Sequence, residues 1–230
     1  MKAVILAGGR GKRMKELTKF LPKPLIKIQN RPFLKYVIQN LIKAGITEIG
    51  IVVHYKKEKI EEFLKENKIK AELIEQSSPL GTGHAIKAAE NFVNNENFIV
   101  VMGDNYYSEE DIKNMIIDDD FEYVAGLKHK NPEKYGVLVE QNNFLTDMPE
   151  KPKIFVSDLI NIALYKFTPR IFKALEDIPK SERGEYEIND AIKKLAKEKR
   201  VKVIKVKNNW LDLGCPEDIP KLERFFKNAG

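Results

Sequence analysis

Short apolar runs alternate with longer amphipathic stretches over the first hundred residues of this chain. The apolar runs are rich in Val and Ile, as buried strands are, and the amphipathic stretches repeat their apolar positions with the period of a helix. Strands are predicted at residues 3–7, 49–53, 71–74 and 98–102, and helices at residues 33–44, 60–67 and 85–93. This order predicts an α/β fold, doubly wound and Rossmann-like, in which helices cover both faces of a mostly parallel sheet.

After residue 104 the pattern is richer in β structure. Further strands are predicted at 123–127, 136–140, 160–167 and 201–206, a polar segment with prolines lies at 147–153, and helices are predicted at 169–175, at 188–199 and from 216 onward. The length suits one large core, so we expect a single domain over residues 1–230. Right-handed crossovers would place the strand ends at Gly8 and Asp104 on one edge of the sheet, where such folds bind ligands.

The first strand runs directly into a loop of glycines and cations. Gly8-Gly9-Arg10-Gly11-Lys12-Arg13 follows it, and Pro22-Lys23-Pro24-Leu25 comes shortly afterwards. Glycines expose backbone N–H groups, and three cations within four residues add positive charge, so the loop suits a polyphosphate. We interpret it as a nucleotide site.

Two better-known glycine motifs do not fit this loop. In a P-loop, Leu6 would stand where the first glycine belongs, and Arg13 would replace the hydroxyl that holds magnesium. In the dinucleotide fingerprint, the third glycine would be Met14, where close packing of helix and strand leaves no room for a side chain.

Composition narrows the function classes further. The net charge of +6 comes from lysines interleaved with glutamates, as at 56–62, which indicates solvated helix faces; no nucleic-acid partner is predicted, whereas small anionic substrates are compatible. The single cysteine, Cys215, excludes an intramolecular disulfide, and three scattered histidines have no zinc-ligand spacing, so any metal should be a hard, oxygen-bound cation.

No apolar run approaches the ~18 residues of a membrane span, and the N-terminal run is too short for a secretory leader. We expect a cytoplasmic protein with no membrane partner.

The loop resembles the N-terminal motif of the sugar-1-phosphate nucleotidylyltransferases, in the pattern Leu6-Ala7-Gly8-Gly9-x-Gly11-x-Arg13-Met14 followed by Pro22-Lys23-Pro24-Leu25. The family usually has Thr or Ser where this chain has Lys12. The resemblance implies catalytic roles for Arg13, Lys23 and Asp104. It also implies that the nucleotide is bound by Leu6, Ala7, Gly8, Gly9, Gly11, Lys12, Arg13 and Lys23.

Two acidic motifs resemble the metal-binding elements of the same family. Gly103-Asp104 follows an apolar strand, and Trp210-Leu211-Asp212-Leu213-Gly214 stands before the last predicted helix. The resemblance implies that Asp104 and Asp212 bind Mg²⁺, and two carboxylates with substrate phosphates suit an ion that dehydrates reluctantly. Taken without the resemblance, Asp104 could instead cap the helix that begins near Ser108, and Trp210 could simply pack in the core.

The segment from Gln76 to Ala85 has features of a base-binding loop. Gly81 and Gly83 would allow a flat group to lie against the backbone, Thr82 could cap the following helix, and the Gln76 amide offers a donor and an acceptor to a pyrimidine edge. His84 is interpreted as a helix-start residue and not as a catalyst. In the uridylyl- and thymidylyl-transferring relatives the matching stretch contacts the base, which implies nucleotide-binding roles for Gln76, Pro79, Leu80, Gly81, Thr82 and Gly103.

Three later elements match, in order and approximate spacing, the part of the family that holds the acceptor. They are Tyr135-Gly136-Val137, Glu150-Lys151-Pro152 and Asp158 to Ala163. The match implies an acceptor-binding region at about 120–200, beside the nucleotide-binding N-terminal half, with Gly136, Glu150, Lys151 and Asn161 at the sugar phosphate. Residues 185–190 also resemble a family segment but are assigned no chemistry. No hexapeptide repeats occur, so no C-terminal left-handed β-helix is expected.

The resemblance implies a Mg²⁺-dependent in-line attack of a sugar-1-phosphate on the α-phosphate of a nucleoside triphosphate. Of the nucleoside triphosphates, UTP is the first expectation and dTTP the second, and the expected acceptor is glucose-1-phosphate or N-acetylglucosamine-1-phosphate. Two alternatives stay open: a cytidylyltransferase for phosphocholine or a polyol phosphate, and a non-catalytic regulatory subunit of the same fold. The oligomeric state is open, and a homo-oligomer is compatible with the sequence.

Overall fold

Nine of the thirteen strands form one central sheet in the computed structural model, which describes residues 1–228. The strands are β1 (Lys2–Leu6), β2 (Lys27–Ile28), β3 (Arg31–Pro32), β4 (Ile49–Val53), β5 (Glu72–Glu75), β6 (Phe98–Met102), β7 (Asn105–Tyr106), β8 (Glu122–Lys128), β9 (Val139–Gln141), β10 (Phe144–Asp147), β11 (Leu159–Phe167), β12 (Val201–Val206) and β13 (Leu211–Asp212). The order in the sheet is β5-β4-β1-β6-β11-β8-β12-β10-β9. Only β11 and β10 run against the direction shared by the other seven strands, so the mostly parallel sheet is confirmed.

Helices cover both faces of this sheet, as predicted. They are α1 (Phe33–Lys43), α2 (Lys57–Glu66), α3 (Thr82–Ala88), α4 (Glu90–Val93), α5 (Glu109–Asn114), α6 (Arg170–Glu176), α7 (Ile188–Lys197) and α8 (Ile219–Asn228). One apolar core joins the sheet to α1, α2, α5 and α8, and a second joins the opposite face to α3, α4, α6 and α7. In the part of the chain that the structure describes, no helix combines the length and apolar character needed to cross a membrane.

Several predicted boundaries differ from the observed ones. The helix expected at 85–93 is two helices, α3 and α4, and it begins three residues earlier. The strand expected at 136–140 is reduced to β9, while Gly136 and Val137 form only isolated bridges to Glu150 and Ile160. The last helix begins at Ile219, after a 3₁₀ turn over Pro216–Asp218.

The pairing of β1 with β6 sets the position of the predicted site. The two strands are parallel, with Leu6 beside Met102, and the next amide, that of Gly103, donates to the Leu6 carbonyl at 2.9 Å. The glycine loop and Asp104 therefore leave the sheet side by side at its carboxyl edge. This confirms the expectation from crossover handedness.

A glycine inside the buried strand β4 is explained by crowding. A Cβ at Gly50 would lie 2.7 Å from Cδ1 of Ile74 and 2.9 Å from the Phe92 ring. We predict that Gly50→Ala lowers the free energy of unfolding by about 1–3 kcal/mol, because both neighbours must shift in a packed core. Urea unfolding measures this. Gly9→Ala is the control, since nothing lies within 4 Å of its Cβ position; equal losses in the two variants would contradict the prediction.

Candidate active site

A cavity of about 750 Å³ opens where the first loop, the β6 end and the segment after β5 meet. Thirteen of the predicted site residues line it: Leu6, Ala7, Gly8, Gly9, Gly11, Lys12, Arg13, Lys23, Gln76, Pro79, Gly81, Thr82 and Asp104. Leu80 and Gly103 belong to the same segments but are not among the lining residues. A second cavity, of about 410 Å³, lies beside the end of α2 and contains none of the predicted residues.

The cavity also includes residues that the sequence analysis did not assign. They are Arg10, Pro24, Ala85, Met102, Glu185 and Gly214. Arg10 could have been found, because it is one of the three cations of the loop. Glu185 lies in a segment to which no chemistry was given, and its approach depends on folding of the distant second half of the chain.

The glycine loop needs its glycine at position 11 for two reasons. Gly11 has φ = +60°, and a Cβ there would lie 3.0 Å from Cβ of Lys23 and from Cγ2 of Thr18. The Thr18 hydroxyl donates to the Gly11 carbonyl at 3.1 Å and holds the loop in this shape. Arg10, Lys12 and Arg13 then line one wall of the cavity, where they can meet a polyphosphate.

Lys23 and Asp104 form an ion pair at the cavity. Nζ of Lys23 lies 2.6 Å from Oδ2 of Asp104, and the lysine side chain is only 8% exposed. The alternative interpretation of Asp104 as a helix cap is wrong, because Ser108 caps α5 by accepting from the amide of Asp111 at 3.0 Å. Asp104 is therefore free to serve the site.

Asp212 comes next to Asn105 from the far end of the chain, although it is not among the residues that line the cavity. Strand β13 pairs with β7 so that Asp212 stands opposite Asn105, the neighbour of Asp104. Burial, and then the negative charge of Asp104, raise the pKa of Asp212 to about 6, although Lys23 and Arg13 act in the opposite direction. Two neighbouring carboxylates that repel each other, one of them lining the cavity, form a donor set that favours a cation.

This donor set fits Mg²⁺. Among residues 1–228, no group of three or more His, Cys, Asp or Glu side chains is arranged to hold a metal ion. A site with two carboxylates leaves most of the coordination shell to phosphate oxygens and water, which is how Mg²⁺ is usually bound beside nucleotides.

The amide of Gln76 is oriented by its protein neighbours. The side chain is buried, and Nε2 donates to the Gly81 carbonyl at 3.2 Å and contacts Nδ1 of His84 at 3.0 Å. Both amide hydrogens are thus used inside the protein, and Oε1 faces Gly8, 3.1 Å from its Cβ position. The prediction that Gln76 offers a donor and an acceptor is corrected, because only the acceptor is left. His84 supports Gln76 from the first turn of α3.

Gly81 and Gly83 lie against the backbone of a later segment at Tyr186, which corrects the expectation that they make room for a flat ligand. A Cβ at Gly81 would lie 2.7 Å from the carbonyl oxygen of Tyr186, and one at Gly83 would lie 2.9 Å from the same atom. Gly81 also has φ = +98°. The close group that these glycines admit is the backbone at Tyr186, not a flat ligand.

Thr82 does not cap α3. The residue before the helix is Gly81, which has no side chain to accept a hydrogen bond. The Thr82 hydroxyl instead accepts from the amide of Ile188 at 3.2 Å, at the start of α7. Thr82 therefore joins the segment predicted to bind the base, residues 76–85 (the base loop), to the second half of the chain.

Three of the four predicted acceptor residues are neighbours. Gly136 bridges to Glu150, and a Cβ on Gly136 would lie 2.9 Å from Oε2 of Glu150 and 3.8 Å from Cβ of Asn161. Lys151 is exposed. The Asn161 amide is already bonded, donating to the Tyr165 hydroxyl and accepting from the amide of Ala163, each at 2.9 Å. None of the four lines the 750 Å³ cavity.

Comparison with known proteins gives consistent matches over the whole described chain. Residues 2–228 match the family model described as nucleotidyl transferase. The bifunctional protein GlmU of Methanocaldococcus jannaschii is 39% identical over 98% of this chain and 54% of its own length. The bifunctional sugar-1-phosphate nucleotidylyltransferase/acetyltransferase of Sulfurisphaera tokodaii is 41% identical over 98% of this chain and 55% of its own length. The chain thus spans about half the length of these curated relatives.

A solved structure is similar over its full length. A UDP-glucose pyrophosphorylase in complex with UDP-glucose superposes with a TM-score of 0.88 at 26% identity, covering 100% of this chain and 99% of its own. The similarity extends over both halves of the central sheet.

We predict that Asp212→Asn stabilises the metal-free protein at pH 8. The folded-state pKa of about 6 lies above the ordinary 3.8, so ionised Asp212 costs stability above the folded pKa, and the cost disappears below the unfolded pKa. The expected gain is about 1–3 kcal/mol, at ~1.4 kcal/mol per pKa unit, and it should shrink as the pH falls from 6 to 4.

Urea unfolding in EDTA at pH 8 and pH 4 checks this prediction. Asp120→Asn is the control, because Asp120 is exposed and no comparable cost is expected there. If Asp212→Asn has the wild-type unfolding midpoint at pH 8, the predicted stabilisation is absent. If its gain in stability is the same at pH 8 and pH 4, the raised pKa of Asp212 is not the cause of that gain.

Proposed function

This chain belongs to the nucleotidyl transferase family, and we propose that it makes a nucleotide sugar and pyrophosphate from a nucleoside triphosphate and a sugar-1-phosphate. The observation that carries the proposal is the meeting of the cationic glycine loop with the Lys23–Asp104 pair at one cavity. The cytoplasm is the compartment that we propose for a reaction with these substrates.

In the proposed reaction, a phosphate oxygen of the sugar phosphate attacks the α-phosphorus in line. The new P–O bond joins the two substrates, and the bond from the α-phosphorus to the bridging oxygen breaks, so that the electron pair leaves with pyrophosphate. Such chemistry depends on positioning and charge stabilisation, not on a protein nucleophile. Arg13 and Lys23 are the catalytic cations in this proposal, and the backbone of the glycine loop binds the triphosphate.

Asp104 and Asp212 would hold Mg²⁺. When bound, the ion supplies positive charge that offsets the repulsion between the two phosphates. Lys23 holds Asp104 in place, since its buried ammonium group lies 2.6 Å from Oδ2 of the carboxylate.

The free oxygen of Gln76 supports uracil or thymine as the base. Both bases carry a hydrogen on N3 and can donate to Oε1, whereas N3 of cytosine carries no hydrogen and would face that oxygen as a second acceptor. UTP is therefore the first choice and dTTP the next, and the cytidylyl alternative is disfavoured. The extra methyl group of thymine is worth only ~1–3 kcal/mol, so it does not separate the first two.

The cluster of Gly136, Glu150 and Asn161 supports a sugar as the acceptor. The missing side chain of Gly136 leaves the Glu150 carboxylate uncovered, and a carboxylate can accept from sugar hydroxyls; the Asn161 amide is held by Tyr165 and Ala163 and stands beside it, and exposed Lys151 can meet the phosphate. Glucose-1-phosphate and N-acetylglucosamine-1-phosphate are the proposed acceptors. The regulatory-subunit alternative has no observation in its favour, because Arg13, Lys23, Asp104 and Asp212 are all present.

The experiment that tests the proposal is pyrophosphate release by the purified protein with Mg²⁺. UTP, dTTP, CTP, ATP and GTP are each paired with glucose-1-phosphate, N-acetylglucosamine-1-phosphate and phosphocholine, and Asp104→Ala serves as the blank. Release that requires UTP or dTTP together with one sugar phosphate is the expected result. Release only with CTP and phosphocholine, or none in any pairing, would overturn the proposal.

We predict that Gln76→Met weakens the selection for UTP over CTP. Methionine keeps the length of the side chain but removes the acceptor, and a base N3–H left without a partner costs about 1–3 kcal/mol. The ratio of kcat/KM for UTP to that for CTP should fall about 10- to 100-fold, since cytosine loses nothing. Gln141→Met, on the exposed end of β9, is the matched control. An unchanged ratio would mean that Gln76 does not read the base.

A further inference from the structure

The side chain of Asn105 lies between the two predicted metal-binding carboxylates. Its Nδ2 donates to Oδ1 of Asp104 at 3.0 Å and to Oδ1 of Asp212 at 3.3 Å. Its Oδ1 accepts from the indole Nε1 of Trp210 at 2.7 Å. Asn105 is only 7% exposed, so these partners, and not water, satisfy the amide.

The orientation of this amide is set by Trp210. An indole N–H is only a donor, so the oxygen of the Asn105 amide must face it. The two amide hydrogens then point away from the indole, one toward each carboxylate. The flipped amide would place N–H against N–H and an oxygen against two carboxylate oxygens, which is repulsive at every contact.

The contacts of Asn105 use one oxygen of each carboxylate and leave the other. The second oxygen of Asp104 is on Lys23, at the cavity wall. The second oxygen of Asp212 is 2.7 Å from the Cβ position of Gly214, another residue of that wall, where only a glycine leaves it room. Asn105 thus links the two carboxylates through one oxygen of each, and their second oxygens are left to Lys23 and to the space beside Gly214.

The backbone holds this arrangement from both sides. Strands β7 and β13 pair with Asn105 opposite Asp212, and the amide of Leu213 donates to the carbonyl of Asp104 at 2.9 Å. The side-chain bridge and the strand register therefore act on the same distance, that between the two carboxylates.

We propose that Asn105 is a positioning residue that sets the separation of Asp104 and Asp212 for a divalent cation, and that Trp210 acts through Asn105 by orienting its amide. The proposal rests on the proposed function, since it assigns the cation to these two acids. Residues that orient metal ligands by hydrogen bonds commonly change metal affinity 10- to 100-fold when they are lost.

Trp210→Phe and Asn105→Ala test the proposal, with Mn²⁺ alone as the probe and free Mn²⁺ measured by EPR. The phenylalanine keeps the aromatic contact with Tyr135, whose ring lies 5.7 Å from that of Trp210, and removes only the N–H donor and part of the ring. Each single variant should bind Mn²⁺ about 10- to 100-fold more weakly than the wild type. Because Trp210 acts through Asn105, Trp210→Phe should cause little further loss in the Asn105→Ala background.

Asn40→Ala is the matched control. Asn40 is another buried amide, and its Nδ2 donates to the Tyr107 carbonyl at 2.7 Å and makes no hydrogen bond to either carboxylate. This variant should unfold at lower urea concentration and still bind Mn²⁺ as the wild type does. If Asn105 contributed only to stability, Asn105→Ala would behave like Asn40→Ala: its unfolding midpoint would fall and its Mn²⁺ affinity would stay at the wild-type value.

The proposal is overturned if folded Trp210→Phe keeps wild-type Mn²⁺ affinity, or if the two losses add in the double variant. Should Asn105→Ala not fold, the single Trp210→Phe titration still decides. In turnover assays the expected change is a higher Mg²⁺ concentration at half-maximal rate with an unchanged KM for the nucleotide at saturating Mg²⁺. The Mn²⁺ titration needs no turnover, so its failure is distinct from a failure of the proposed function.

Discussion

The site depends on one backbone contact, the parallel pairing of β1 with β6. Because the amide of Gly103 donates to the carbonyl of Leu6, the glycine loop and Asp104 emerge together from the sheet. A Cβ at Gly103 would lie 3.1 Å from that carbonyl and 3.2 Å from the Pro24 ring. The absence of a side chain there lets the segment with Lys23 pack onto the strand end. A slip of one residue would reverse every side chain of the strand and separate the loop from the acid.

Charge is balanced unevenly at this edge of the sheet. Asp104 has a buried ammonium group in contact, whereas Asp212 has no cation within salt-bridge distance among residues 1–228 and shares the hydrogen bonds of Asn105. The raised pKa of Asp212 expresses first the cost of burying its carboxylate and then the cost of holding it near Asp104. Stability is given up locally for a donor set that a cation can satisfy, while the cations of the loop line the same cavity and remain available for phosphate.

Sequence patterns predicted the first half of the fold well, because buried parallel strands are continuous apolar runs. The strands β1, β4 and β6 begin and end within one residue of their predicted bounds. The second half is harder, since β9 and β10 are short, lie at the sheet edge and carry polar residues. Site residues with a distinctive type in a known motif, such as Gly11 or Asp104, could be recognised. Asn105 and Glu185 could not, because their importance comes from contacts with segments about a hundred positions away.

The contacts of the base loop with Tyr186 make the two halves of the chain interdependent. The amide of Gly83 donates to the Tyr186 carbonyl at 2.8 Å, and the amide of Tyr186 donates to the Leu80 carbonyl at 2.7 Å. The loop that would hold the base is thus fastened by two backbone hydrogen bonds to a segment more than a hundred residues later. An evolutionary exchange of the later half for another acceptor module would remove the support of the base loop unless that segment were kept. Under the proposed function, acceptor specificity would therefore change by substitutions within the second half, and an exchange of that half as a unit would have to keep the segment around Tyr186.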